Sequence, residues 1–110
     1  MSVAIIGGGF SGIYSLKYCL EHDLDATLFE ASEHLGGVWK YRPDCNGGVL
    51  KTTHASSSIH YLHPLDFPFP DDTPLFPHHS VVLEHLLNYV DHFKLQPHIT
   101  FNHRAIKITK

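Results

Sequence analysis

Charge is sparse in this sequence and evenly signed. Asp, Glu, Lys and Arg together make up 17% of the 110 residues, and the net charge is −3 with histidine neutral. No run of like charges occurs. That excludes the basic stripe of a nucleic-acid binder and the polybasic patch of a membrane-surface protein. Cysteine appears only twice, as Cys19 and Cys45. Cys19 falls on the apolar side of a predicted helix and Cys45 in a loop, a usage that fits a reducing compartment rather than a disulfide scaffold. No apolar stretch is long enough to span a membrane. The N-terminus has no basic lead, and glycines break its first apolar run at once, so it does not read as a secretory signal.

Apolar residues supply 43% of the chain, which suffices for a packed core. The length allows one small domain or part of one. Histidine is the one residue in excess, with eleven copies spread from His22 to His103. His78, His79 and His85 show no metal-ligand spacing. His85 and His92 would lie two helical turns, about 10 Å, apart, so they read as solvated residues of a polar face, and no metal site is expected. His54 and His60 are loop residues, unless one of them contacts a ring of a bound ligand.

The pattern of elements is α/β. Val3–Ile6 is a short, wholly apolar, β-branched run and reads as a buried parallel strand. Ser11 to about His22 follows as a helix, with Ile13, Leu16, Cys19 and Leu20 at helical spacing. Ala26–Phe29 is a second strand. Strand, helix and strand within about thirty residues make a βαβ unit. From Ala31 to Pro77 regular structure is scarce, and the five prolines of "HPLDFPFPDDTPLFP" exclude a helix or an inner strand there. A second helix runs from His79 or Ser80 to about Phe93, with Ser80 as its N-cap and Glu84 near its first turn. Its apolar stripe is Val82, Leu83, Leu86, Leu87, Val90 and Phe93. Tyr61, Phe67, Phe69 and Phe76 would pin the proline-rich loop to the domain. Ile99–Phe101 reads as a third strand, and the alternation in Ala105–Thr109 opens a fourth.

"VAIIGGGFSG" carries the chemistry. Gly7 permits the tight turn off the first strand, Gly9 lets a pyrophosphate approach the backbone, and Gly12 lets the helix pack closely. The helix N-terminus offers free N–H groups and partial positive charge to phosphates. The strand before the glycines and the helix after them supply the context the motif needs. Glu30 closes the second strand about twenty residues on, where a carboxylate accepts hydrogen bonds from ribose hydroxyls and disfavours a 2′-phosphate. The ligand is therefore FAD or NAD rather than NADP. Gly36 and Gly37, followed by Val38 and Trp39, let a second stretch of backbone approach a longer cofactor, which favours FAD. Trp39 and Tyr41 pack either on that cofactor or on the core.

With "LFEASEHLGGVWKY" and "DFPFPDDTPLFPHHSVVLEHLLNYVDHFKLQPHITF" added, the chain resembles the flavin-containing monooxygenases. The resemblance covers nearly all of residues 1–110 but only the N-terminal portion of a full-length member. The expected fold is accordingly a Rossmann-like FAD-binding βαβ unit with a further helix and strand in an incomplete parallel sheet, the N-terminal part of a domain and so a fragment. Its first strand would lie at the edge for want of a neighbour. The resemblance implies an enzyme that binds FAD, reduces it with NADPH bound outside this chain, and uses dioxygen to oxygenate nitrogen or sulfur nucleophiles through a flavin C4a-hydroperoxide. The 110 residues alone would not turn over. Gly7, Gly8, Gly9, Phe10, Ser11 and Gly12 would hold the FAD pyrophosphate and Glu30 the adenosine ribose. Gly37, Val38 and Trp39 would line the pocket further along, with Ser56 and Ser57 near the flavin ring. Ser56 stands where the family carries an active-site asparagine, and one hydroxyl cannot reproduce the separate carbonyl and NH₂ of an amide. The resemblance implies a place on the cytoplasmic side, in the cytosol or at the endoplasmic reticulum surface. A Baeyer–Villiger-type oxygenase, a flavin oxidase and a non-catalytic nucleotide-binding remnant are the alternative readings.

Overall fold

The computed structural model describes residues 2–44 and 47–110. Strand β1 (Ser2–Ile6), helix α1 (Phe10–Glu21) and strand β2 (Asp25–Phe29) form the expected βαβ unit. After a 3₁₀ turn at Gly37–Trp39 come a one-turn helix α2 (Ile59–Leu62), the long helix α3 (His79–His92), a second 3₁₀ turn (Gln96–His98) and strand β3 (Ile99–Thr100). The three strands are parallel in the order β1-β2-β3, with Val3 opposite Ala26, Ile5 opposite Leu28, and Leu28 opposite Ile99. Strand β2 is central, and among the described residues β1 pairs only with it.

One face of the sheet carries the core. Ile5, Ala26 and Leu28 pack with Ile13 and Leu16 of α1, with Leu86, Tyr89 and Val90 of α3, and with Leu35 and Leu95. Strand residues two apart share a face, so Ala4, Ile6 and Phe29 point to the opposite side, where the chain segment at His103–Ala105 lies beside them. That arrangement corrects the expectation of a fully buried β1: Ile5 is buried, but Ile6 stays 54% exposed, because the edge strand is covered on one face.

Helix α3 also departs from expectation. His78, not Ser80, is its N-cap: the Ser80 N–H donates to His78 Nδ1 at 3.2 Å, so an imidazole nitrogen takes the usual oxygen's part. Glu84 falls in the second turn, not the first. Tyr89 is fully buried, whereas Leu87 is 43% exposed, so the buried stripe runs one step round the helix from the expected one. The histidines are not uniformly solvated. His79 and His85 are buried, and His85 stacks on Phe69 at 4.0 Å while its Nε2 bonds the Phe67 carbonyl. Burial lowers the His85 pKa, the nearby His63 lowers it further, and the bond to Phe67 opposes both. Residues 105–109 form no strand, and Ile106 and Ile108 stand exposed.

The proline-rich loop is pinned, though by fewer aromatics than expected. Phe67 packs against Tyr89, Phe93 and His85, and Phe69 is buried, whereas Tyr61 and Phe76 face solvent. A charged contact adds to this. Lys17 of α1, buried to 8% exposure, bonds Asp66 of the loop at 2.6 Å and Glu21 at 2.7 Å. Those two carboxylates, Asp66 first, raise the Lys17 pKa against the opposing effect of burial. Burial, aided by Asp66, pushes the neighbouring Tyr14 phenol up to about 12. Cys19 is half-buried in α1, and Cys45 lies outside the described residues. No described helix is long and apolar enough to cross a membrane.

Candidate dinucleotide site

The chain leaves β1 at Gly7, whose φ of +97° lies in the left-handed region that favours glycine. The Gly7 N–H donates to the Phe29 carbonyl, so the turn stays registered on β2. Gly9 is the N-cap of α1. A Cβ on Gly12 would sit 1.9 Å from the Gly7 carbonyl oxygen, so the helix and the turn touch backbone to backbone. Among the described residues no side chain caps α1, and its first turn holds no acidic residue. The N–H groups of that turn are thus free, with the positive end of the helix dipole, to meet an anion.

The second glycine pair reaches back to the first. The Gly36 N–H donates to the Gly8 carbonyl at 2.8 Å. Gly36 and Gly37 have φ of +118° and +54°, and a Cβ on Gly37 would fall 3.2 Å from the Gly9 Cα. Two bare backbone segments therefore meet beside the α1 N-terminus. Leu35 is buried against Gly8, and Leu83 of α3 fills the space above Gly36.

Glu30 sits where these segments converge and is only 8% exposed. Its Oε1 accepts the Gly8 N–H at 2.9 Å, and its Oε2 accepts both the N–H and the hydroxyl of Ser32 at 2.7 Å. Burial alone would raise its pKa. The bonds from Ser32 and Gly8, with the Arg42 charge, outweigh burial and hold the carboxyl below its ordinary range. Glu30 lines a cleft of about 380 Å³ together with Gly37, Val38, Lys40, Arg42, Gly47 and Gly48. Val38 is 64% exposed along that wall. Trp39 packs edge-on to Phe10 at 6.2 Å, which joins the 3₁₀ turn to the first turn of α1.

Residues 7–12, Glu30 and residues 37–39 are thus gathered around one end of the sheet. Ser56 and Ser57 are not. They stand exposed on a bend before α2 and do not line the cleft. Their loop is instead tied to the entry of α3, through Ala55 N–H to the Pro77 carbonyl and His79 N–H to the Thr53 carbonyl. Sequence reasoning missed Ser32, Lys40, Arg42, Gly47 and Gly48. Only Gly47-Gly48 carried a signal, as a second glycine pair. Gly48 has a φ of +90°, and the next residue, Val49, bonds back to the Val38 carbonyl.

Bare glycines, free helix N–H groups and a carboxylate held ionised fit the pyrophosphate and ribose of a dinucleotide. The comparisons with known proteins agree with that geometry. The family model described as flavin-binding monooxygenase-like matches residues 1–110. The human flavin-containing monooxygenase 1 is 40% identical over 98% of this chain and 21% of its own length. A rabbit dimethylaniline monooxygenase (N-oxide-forming) 4 is 36% identical over 98% of this chain and 20% of its own. The chain thus spans about a fifth of the length of these curated relatives. Among solved structures, the S-allyl-L-cysteine S-oxygenase of Allium sativum superposes with a TM-score of 0.89 at 23% identity, over 98% of this chain and 29% of that one.

Proposed function

The chain belongs to the flavin-binding monooxygenase-like family, and on that premise we propose that residues 1–110 form the FAD-binding portion of an NADPH-dependent monooxygenase acting on nitrogen or sulfur nucleophiles. The observation that carries the reading is the ionised Glu30 carboxylate, buried at the edge of a cleft beside an uncapped helix N-terminus. In this reading the first turn of α1 binds the FAD pyrophosphate through Ser11, Gly12 and the bare Gly9, with Gly7, Gly8 and Phe10 shaping the turn. Glu30 orients the adenosine ribose. Gly37, Val38 and Trp39 wall the cofactor further along and exclude water from it. FAD, when bound, supplies the redox chemistry, passing electrons from NADPH to dioxygen. Ser56 and Ser57 approach the flavin ring end, on the loop anchored to α3. The N-oxide-forming relative supports nitrogen as one acceptor, and a thioether sulfur presents the same soft lone pair.

The test is optical. The purified protein, freed of unbound FAD, should keep the flavin absorbance bands. Glu30→Ala, which removes a charge-assisted acceptor worth about 1.5–3 kcal/mol, should weaken FAD about ten- to a hundredfold. A folded, colourless wild-type protein refutes the flavoprotein reading. Unchanged affinity in the variant refutes the ribose role.

A further inference from the structure

We propose that Ser32 and Arg42 are positioning residues for Glu30, a hydrogen-bonded relay that sets which carboxylate oxygen is presented to the ribose. The proposal rests on the FAD reading above. Arg42 Nη2 donates to Ser32 Oγ at 3.1 Å, and the Ser32 hydroxyl reaches Glu30 Oε2 at 2.7 Å. That hydroxyl has one proton and two acceptors in range, Glu30 Oε2 and the His34 carbonyl at 3.0 Å. The shorter contact, to the charged oxygen, takes it. The His34 N–H, at 3.2 Å, donates to Ser32 Oγ beside Arg42. Ser32 thus collects donors on one side and donates its own hydrogen bond to the carboxylate on the other.

The consequence lies in the count of acceptor sites. A carboxylate has about four lone-pair sites. Ser32 fills two on Oε2 and Gly8 fills one on Oε1. Among the described residues the free site is on Oε1, the oxygen on the Gly8 side, so the ribose meets Glu30 through a single strong bond there. The cationic groups around the carboxylate are Arg42 and Lys40, which share the cleft wall. His34 flanks Ser32 and is paired with Glu33 at 3.4 Å. His103 follows β3 and bonds the Glu30 carbonyl through its backbone N–H. The first turn of α1 adds no acidic group.

The relay makes a prediction that a merely structural Ser32 does not. FAD affinity is measured against pH for the wild-type protein, Ser32→Ala, Ser32→Thr and Arg42→Met, and the Glu30 carboxyl is titrated by ¹³C NMR without FAD. In Ser32→Ala and Arg42→Met the Glu30 midpoint should rise, and FAD affinity should fall away at higher pH than in wild type. Each unit of rise means about a tenfold loss at pH values below the wild-type midpoint, with affinity near pH 8 far less changed. Ser32→Thr keeps the hydroxyl and should restore the wild-type profile. Parallel loss at every pH with an unmoved Glu30 midpoint overturns the relay while leaving the FAD reading intact. A wild-type protein that binds no FAD overturns the reading itself and the presentation role with it.

Discussion

Two glycines three residues apart should respond to the same added methyl in opposite ways. On Gly12 a Cβ would lie 1.9 Å from the Gly7 carbonyl oxygen, more than an ångström inside any real contact. The obstacle is backbone, so relief requires α1 to move away from β1. That helix carries Ile13 and Leu16, both fully buried, and lifting it disturbs the core at overpacking costs of about 1–3 kcal/mol or more. On Gly9 a Cβ would meet only the Gly37 Cα, at 3.7 Å, an ordinary contact, and φ is −82°. Gly9→Ala gains roughly 0.4–1 kcal/mol from a less flexible unfolded chain and loses a similar amount because alanine is a poor N-cap. Its stability should stay within about 1 kcal/mol of wild type. Yet the methyl occupies the backbone surface that a pyrophosphate would approach, so FAD affinity should drop about tenfold or more. Urea unfolding followed by fluorescence of Trp39, which packs on Phe10 beside the turn, reads the first effect. FAD titration reads the second. Wild-type stability in Gly12→Ala refutes the close-packing argument. Wild-type FAD affinity in Gly9→Ala refutes the cradle.

The Lys17–Asp66 contact should be structural: Lys17→Met leaves Asp66 without its partner and, with Asp66 part-exposed, should cost about 1–3 kcal/mol in urea unfolding, whereas Lys17→Met with Asp66→Leu should recover part of that. A double variant no more stable than the single would argue against it. Stability should also depend on His85. Its folded pKa is depressed, so its contribution is complete above the ordinary histidine range near 6.5 and is lost as pH falls through that range toward the folded value. Unfolding measured from about pH 7.5 to about pH 5 should show this slope in wild type and less of it in His85→Phe, and equal slopes would contradict the assignment.

What the sequence determined by itself was local. A β-branched run, glycines at 7, 9 and 12, a helix-spaced stripe and Glu30 after a second strand act over a few residues each, through allowed dihedral angles, side-chain period and the missing Cβ. They suffice for the βαβ unit and for the glycine turn of the candidate site, and the positive φ of Gly7 and the tight approach at Gly12 follow from them. What the tertiary structure decided depends on segments distant in sequence. Gly36 bonding Gly8 and Arg42 reaching Ser32 both require the irregular stretch after β2 to fold back on the turn, and no periodicity encodes that path. The one-step rotation of the α3 stripe, which buries Tyr89 and His85 and turns Leu87 outward, is set by where Phe67 and Phe69 land. Ser56 and Ser57 stand on an exposed bend whose loop bonds to the entry of α3, a placement that no local pattern in the sequence encodes. Burial and hydrogen-bond satisfaction belong to whole surfaces brought together, and a residue's type restricts them without choosing the partner.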